Sequence, residues 1–250
     1  MPRRKKKSDS VIALCVQEPL EDGSKMDLGA ITGDDLKFLH QAFITDTIGN
    51  ALAVKDTDVR LYFIDVPERK RFVKIITEYL AGKLTGKAAE AFKNRFRQFE
   101  QSHERWGIRI HDVFSRCFED GYKNVLVVGS RTPTVTSTML QRALKMLSES
   151  EAVFGPTPEG RYYAIGMSQG ADINLSEFDW KSPDIYNQVS RAFDERKFGW
   201  SELEIWYVVE GPDELELMVR DINQYRFEED RTTARETEIV MERLLRKLES

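Results

Sequence analysis

The chain is poor in cysteine, in histidine and in long apolar runs. Only two cysteines occur in 250 residues, Cys15 and Cys117. Both lie in apolar stretches far apart in sequence. No disulfide framework is therefore expected, and both read as reduced core residues of a cytoplasmic protein. The three histidines, His40, His103 and His111, are scattered over segments of helical periodicity and show no metal-ligand spacing with cysteine. They read as surface or satisfied helix residues rather than catalysts. No apolar stretch approaches the ~20 residues of a membrane span. The run VIALCV behind the basic start MPRRKKKSDS has six residues, too few for a signal-peptide core. Residues 1–10 are expected to form a disordered basic tail. There is no internal repeat and no low-complexity tract.

Apolar residues make up 41% of the chain and charged residues 32%, enough for a full core under a well-solvated surface. The net charge of −5 argues against a general nucleic-acid binder. The charge is uneven, however. Residues 68–105 carry ten Lys and Arg against five Asp and Glu, whereas residues 202–250 carry seven against fourteen. Solvated helix faces of opposite sign account for such a split more simply than a partner surface does.

Apolar patterning alternates between short runs and helical stripes. Val11–Val16 and Val59–Val66 read as strands, the first buried on both faces because it does not alternate. A helix capped by Asp34 is expected to follow the first, with Leu36, Leu39, Phe43, Ile44 and Ile48 inward. Pro67 starts a second helix, with Phe72, Ile75, Ile76 and Tyr79 on one side. A third helix carries Ala88, Phe92, Phe96 and Phe99, and a fourth spans about Ile108–Glu119. Strands are then expected at Val125–Val128, Ala152–Phe154, Tyr162–Met167 and Leu203–Val209. Helices are expected after Pro133, from Ser182-Pro183, from Gly211-Pro212 and at about 232–248, the last capped by Thr232 or Thr233. Strands alternating with helices predict an α/β fold with a mostly parallel sheet. Ligands of such sheets bind beyond the carboxyl ends of the strands, which directs attention to the loops after Val16, Val128, Phe154 and Val209.

Those loops carry the chemistry. The first, QEPLEDGSKMDL, offers Gly23, Ser24 and Lys25, a flexible turn with one cation that suits phosphate; an exposed loop with an incidental lysine is the plainer alternative. The second is GSRTP and delivers Arg131 to the rim. The third is GPTPEGRYYAIG, whose prolines stiffen a pocket wall or a hairpin turn. The fourth is VVEGPDEL. There Glu210 and Asp213 are general-base candidates, or acidic residues favoured by a helix N-terminus.

In this order the four stretches resemble the nucleotide-diphospho-sugar transferase superfamily, with the GT-A type fold. They resemble more closely its small bacterial and archaeal branch DUF2064, related to guanylyltransferases that act on phospholactate. That branch reads K-x-P-x-x-G-x-x-K-T-R-L, then G-S-D-x-P, then G-P-x-x-D-G-G-Y-Y-x-x-G, then D-x-D-T-P-x-D-L. The segments WGIRIHDVF and WKSP are similar to its L-G-x-R and W-S-x-P. The resemblance covers residues 11–226. It implies a three-layer sandwich around a mostly parallel sheet, formed by a single domain over 11–250 with a helical insert at about 68–105. It also implies a nucleotide or nucleotide sugar as ligand, with nucleotidyl or glycosyl transfer as the chemistry.

The departures bear on that chemistry. The resemblance places the fold's metal-holding aspartate at Arg131, and a divalent ion takes oxygen ligands, so Mg²⁺ or Mn²⁺ is not expected there. Lys-Thr-Arg-Leu has become Lys25-Met26-Asp27-Leu28, and Asp-Gly-Gly-Tyr has become Glu159-Gly160-Arg161-Tyr162. The D-x-D pair has become Val208 and Glu210. Two readings follow. In one, Arg131, Arg161 and Lys25 neutralise a diphosphate in place of a metal. Gly23 and Ser130 then complete the nucleotide site, and Arg131, Glu210 and Asp213 are the catalytic candidates. Glu159, Tyr162 and Trp180 would border an acceptor pocket. In the other, the fold persists as a catalytically inactive binding or assembly module. A homodimer is expected if Phe92, Phe96 and Phe99 face a partner chain rather than the sheet.

Overall fold

Strand β1 (Ser10–Cys15) is buried from Val11 onward because both of its faces are covered. Ile12 and Leu14 share one core with Ile44 and Ile48 of helix α1 (Gly33–Ala53). Val11, Ala13 and Cys15 share another with Ile110 and Val113 of α4 (Trp106–Glu119). The period of two along a strand explains the split: successive side chains point to opposite faces, and each face has its own helical layer. The computed structural model describes residues 8–16, 26–102 and 104–248. Residues 1–7 of the expected basic tail lie outside them, as do Gly23, Lys25 and His103.

β1 is an interior strand of a seven-stranded sheet with β2 (Thr57–Ile64), β3 (Phe96–Gln101), β4 (Asn124–Gly129), β5 (Ala152–Pro156), β6 (Tyr162–Ser168) and β7 (Trp200–Glu202), in the order β3-β2-β1-β4-β6-β5-β7. The pairs β1–β2, β1–β4, β2–β3 and β5–β7 are parallel, and β6 runs antiparallel to both of its neighbours. The chain winds outward from β1 through β2 to β3, then returns to lay β4 on the other side of β1. That reversal makes the carboxyl ends of β1 and β4 the switch point of the sheet, the place where open α/β sheets bind ligands. One face of the sheet carries α1, α2 (Pro67–Lys83) and α5 (Ser137–Leu147), and the other carries α4 and α6 (Ile185–Glu195). This is the three-layer α/β sandwich with a mostly parallel sheet that the sequence predicts.

A third apolar cluster lies beyond the rim. It joins Leu36, Leu39 and Phe43 of α1 to Tyr207 and Val209, to Met218 and Ile222 of α7 (Pro212–Phe227), and to Met241 and Leu244 of α8 (Arg235–Leu248). A buried carboxyl of α1 adds to the hold on α8. Asp46 of α1 accepts hydrogen bonds from the amides of Glu236 (3.0 Å) and Thr237 (2.8 Å) and from Thr237 Oγ1 (2.7 Å). An acid at a helix N-terminus satisfies amides that have no partner within the helix.

Several expected boundaries differ. The expected third helix stops at Arg95: α3 spans Gly86–Arg95, and Phe96–Gln101 is strand β3. The Arg95 guanidinium explains the break, because it donates to the carbonyls of Leu52, Val54 and Thr57. That anchors the chain beside β2, whose edge then pairs with Phe96 onward. Phe92 and Phe96 pack into the α1–α2 core and Phe99 stacks on Tyr62, so the three phenylalanines give no reason for a second chain. The buried face of α2 is Arg69, Val73, Ile76 and Leu80, while Ile75 and Tyr79 are exposed. Thr32, not Asp34, occupies the N-cap of α1. The Glu236 and Thr237 amides of α8 are bonded by Asp46 rather than by the side chain of Thr232 or Thr233. Ser182-Pro183 precedes α6 without starting it: Ser182 Oγ accepts from the Asp184 amide, and the helix begins at Ile185. The apolar run Leu203–Val209 is not a strand; β7 ends at Glu202. Pairing of β5 with β7 ends at Phe154 and Glu202; beyond it the Leu203 and Trp206 amides bond the Phe154 and Pro156 carbonyls singly, and Pro156 offers no N–H to extend the ladder.

Asp46 makes the fold sensitive to pH. Burial outweighs its hydrogen bonds and pushes this carboxyl up to about 7, against roughly 3.9 in an unfolded chain. Between those values the native state holds a proton that the unfolded chain releases, so the group's contribution to stability falls as pH rises through that window. Between pH 5 and 8, wild type is expected to lose roughly 2 kcal/mol relative to Asp46→Asn, whose side chain does not titrate. Urea unfolding of both proteins across that range is the check; parallel pH profiles would refute the assignment.

Candidate functional site

Gly129 ends β4, and the chain turns through Ser130, Arg131 and Thr132, all buried. Thr132 Oγ1 closes the turn by donating to the Gly129 carbonyl at 2.8 Å. Asn50 of α1 supports the next residues from below, its Nδ2 donating to the Val135 carbonyl at 3.0 Å. A relay of hydroxyls holds the outer side: Trp206 Nε1 donates to Thr134 Oγ1 (3.1 Å), Thr134 Oγ1 to the Tyr207 hydroxyl (2.9 Å), and that hydroxyl to the Asp221 carboxylate (2.9 Å). Tyr225 adds a bond from its hydroxyl to the Thr134 carbonyl at 2.9 Å. The GSRTP turn is therefore fixed by α1, by α7 and by the segment 203–210 together. A side chain carried on such a turn keeps its position when a ligand arrives.

Arg131 is the side chain so carried, and only 4% of it is exposed. Its Nη1 donates to Glu210 Oε1 at 3.2 Å, and its carbonyl accepts from the Val209 amide at 2.9 Å. Burial draws the guanidinium's pKa below the ordinary arginine value, and Glu210 works against that shift. Arg161 reaches the same carboxylate from another direction, with Nη1 3.9 Å from Glu210 Oε2. It leaves a tight turn in which Gly160 takes a φ of +73°, while the Thr157 amide donates to the Arg161 carbonyl at 2.9 Å and the Arg161 amide donates to Thr157 Oγ1 at 3.3 Å. A Cβ at Gly160 would lie 2.7 Å from the Pro183 carbonyl oxygen, so this turn needs glycine for space as well as for its backbone angle. The loops after β4 and β5 and the segment before α7 thus converge on one carboxylate between two guanidiniums.

The other expected residues are dispersed. Ser130 Oγ lies 3.5 Å from His40 Nε2 beneath the turn. Tyr162 and Trp180 stand together at 6.1 Å between ring centres, on the α4–α6 side of the sheet. Tyr162 donates to the Tyr186 carbonyl, and burial raises its hydroxyl well above the ordinary tyrosine value. Trp180 donates to the Leu175 carbonyl at 2.8 Å, and its ring leaves room for no side chain at Gly107. Glu159 is exposed at the tip of the β5–β6 turn. Asp213 is exposed in the first turn of α7, where Glu214 and not Asp213 bonds the Gly211 amide. Gly23 and Lys25 fall outside the described residues; the chain resumes beyond them with the Asp27 amide bonded to the Glu210 carbonyl at 2.8 Å.

Two buried residues near this rim escape a sequence reading. His40, expected to be an ordinary helix histidine, is wholly buried and stacks on Phe72. Burial, and then the charges of Arg131 and Arg69, hold its pKa well below the ordinary imidazole range, so it is neutral. Arg69 on α2 is also wholly buried. Its only signal in the sequence is its spacing four residues before Val73, which places it on the inward stripe. The donor set does not fit a divalent ion at the GSRTP rim. A guanidinium stands where a carboxylate would be needed, and Glu210 is engaged by two cations. Among the described residues no group of three or more His, Cys, Asp or Glu could hold a metal.

The family model described as an uncharacterized protein conserved in bacteria, DUF2064, matches residues 72–182. The middle of this chain is DUF2064-like. Those residues run from α2 to the turn before α6 and include Arg131, Arg161, Tyr162 and Trp180. Among solved structures, a provisionally assigned nucleotide-diphospho-sugar transferase from Desulfovibrio desulfuricans G20 is 22% identical, with a TM-score of 0.69 over 94% of this chain and 98% of that one. A 4-diphosphocytidyl-2C-methyl-D-erythritol synthase from Anaerococcus prevotii DSM 20548 is 11% identical, with a TM-score of 0.52 over 86% of this chain and 96% of that one. The chain thus shares the fold of these two proteins. No curated protein matches its sequence. No helix among the described residues is long and apolar enough to cross a membrane.

The hydroxyl relay can be tested for its part in holding the rim. Thr134→Val keeps the shape but leaves Trp206 Nε1 without its acceptor and the Tyr207 hydroxyl without its donor. A loss of about 1–3 kcal/mol in urea unfolding is expected. An unchanged midpoint would show that the relay does not hold the turn.

Proposed function

We propose that this chain binds a nucleotide or nucleotide sugar at the carboxyl rim of β1 and β4, and that guanidinium groups, not a metal ion, neutralise its diphosphate. The observation that carries this reading is the convergence of Arg131 and Arg161 on one anion, at the switch point of a fold shared with nucleotidyl and nucleotide-sugar transferases. Arginine pairs with phosphate through two parallel N–H bonds and holds its charge when buried. Preorganised cations aimed at a diphosphate also lower the barrier to its departure as a leaving group. We therefore assign nucleotidyl or glycosyl transfer as the reaction class. Arg131 and Arg161 bind phosphate, and Tyr162 and Trp180 wall the acceptor side. Glu210 balances their charge. The exposed Asp213 fits the helix-terminus role better than a catalytic one.

One observation favours a second reading. Arg131 is already paired with Glu210, which suits a structural ion pair in an inactive binding or assembly module equally well. Nucleotide binding separates the two. Thermal-shift measurements with nucleoside di- and triphosphates and nucleotide sugars are expected to show stabilisation that persists in chelator. Arg131→Ala is expected to weaken that binding by roughly 10–100-fold, the worth of a charged hydrogen bond at a buried site. Unchanged affinity in Arg131→Ala, or stabilisation that requires Mg²⁺, would end the metal-free reading. No shift with any nucleotide would leave the inactive module.

A further inference from the structure

Resting on that reading, we infer that Glu210 is an internal substitute for the ligand's phosphate, and that an anionic ligand binds by displacing its carboxylate from Arg131 and Arg161. The two carboxylate oxygens face different guanidiniums, Oε1 toward Arg131 at 3.2 Å and Oε2 toward Arg161 at 3.9 Å. Two oxygens of one phosphate would bridge the same pair of cations in the same manner. The exposures are unequal in a way that lets the exchange proceed. Arg131 is 4% exposed, whereas Glu210 and Arg161 are 31% and 34% exposed. The buried cation stays where it is, and the carboxylate has water to turn into.

The backbone confines the movement to the side chain. The Glu210 carbonyl accepts from the Asp27 amide at 2.8 Å, the preceding amide donates to the Arg131 carbonyl at 2.9 Å, and the following amide is held by Glu214 at 2.8 Å. None of these bonds involves the Glu210 carboxylate, so all three survive its displacement. The exchange also sets a charge requirement. A ligand with a single negative charge gains little over the carboxylate it replaces, whereas a diphosphate brings more charge to the same two guanidiniums. The site then selects multiply charged phosphates over carboxylates and monoanions. A ligand that must first displace an internal group binds with an affinity reduced by the fraction of sites still occupied by that group.

The test is calorimetric titration of inorganic pyrophosphate, in chelator, into the wild type, Glu210→Gln and Glu210→Asp. Glu210→Gln removes the competing charge and should bind pyrophosphate about tenfold tighter than wild type. It should also melt at a lower temperature without pyrophosphate, because Arg131 loses a counter-charge, and regain stability when pyrophosphate is added. Glu210→Asp draws the carboxylate back by one methylene and should lie between the two; if Glu210→Gln does not fold, this variant decides. Wild-type binding with equal or weaker binding in the variants overturns the inference while leaving the proposed function standing. Binding by none of the three proteins removes the proposed function, and the inference with it.

Discussion

A charged guanidinium at the end of a central strand has to be matched by an anion, and Arg131 is matched by Glu210. Leaving such a charge buried and unmatched costs about 3–5 kcal/mol, a large part of a domain's net stability. Much of the rim's architecture follows from that need. Glu210 lies far from Arg131 in sequence, so the segment 203–210 has to cross the rim and be held there. The Val209 amide bonds Arg131's own carbonyl, and the Asp27 amide bonds Glu210's. The Trp206–Thr134–Tyr207–Asp221 relay ties the same segment to the GSRTP turn and to α7. The ion pair fixes which side chains meet, and the neutral hydrogen bonds fix where.

The same arrangement explains how a shared fold can differ in its chemistry. A carboxylate at position 131 would attract a cation and create a place for a metal. An arginine there reverses the sign of the local field and calls for an anion, which Glu210 supplies. Neighbouring groups agree with that sign. His40 beneath the turn is kept neutral by burial and by the charges of Arg131 and Arg69, so it adds no competing positive charge within the apolar layer. Arg161 brings a second cation from a different loop.

Away from the rim, stability rests on burial on both faces of the central strands. Each fully buried aliphatic side chain there contributes about 1.5–3 kcal/mol. The fastening of α8 by Asp46 works differently: one carboxyl serves three donors on another helix, so the end of the chain depends on a residue near its start. Burial and hydrogen bonding oppose each other at that group, and burial prevails.

The sequence by itself determined the fold class, the reduced buried cysteines, most of the element order and the GSRTP turn carrying Arg131. These depend on local signals: apolar runs, helical spacing, Pro67 and Gly211-Pro212 as helix starts. It did not determine that Phe96–Gln101 is a strand, because Phe92, Phe96 and Phe99 keep helical spacing and only pairing with β2 overrides it. Nor did it determine that Leu203–Val209 leaves the sheet, since the pairing of β7 with β5 ends at Glu202 and Phe154 and the partner strand runs into Pro156, which has no N–H to offer. The inward stripe of α2 was misplaced because two overlapping sets of apolar residues fit the helical period, and only packing chose Val73, Ile76 and Leu80 over Ile75 and Tyr79. The site followed the same division. Arg131, Arg161 and Glu210 were visible one by one as departures from a motif, but their meeting at a single carboxylate was decided by the tertiary structure. Coulombic pairing acts across space, here between Arg131 and Glu210, 79 positions apart, and no local pattern in a sequence records such a distance.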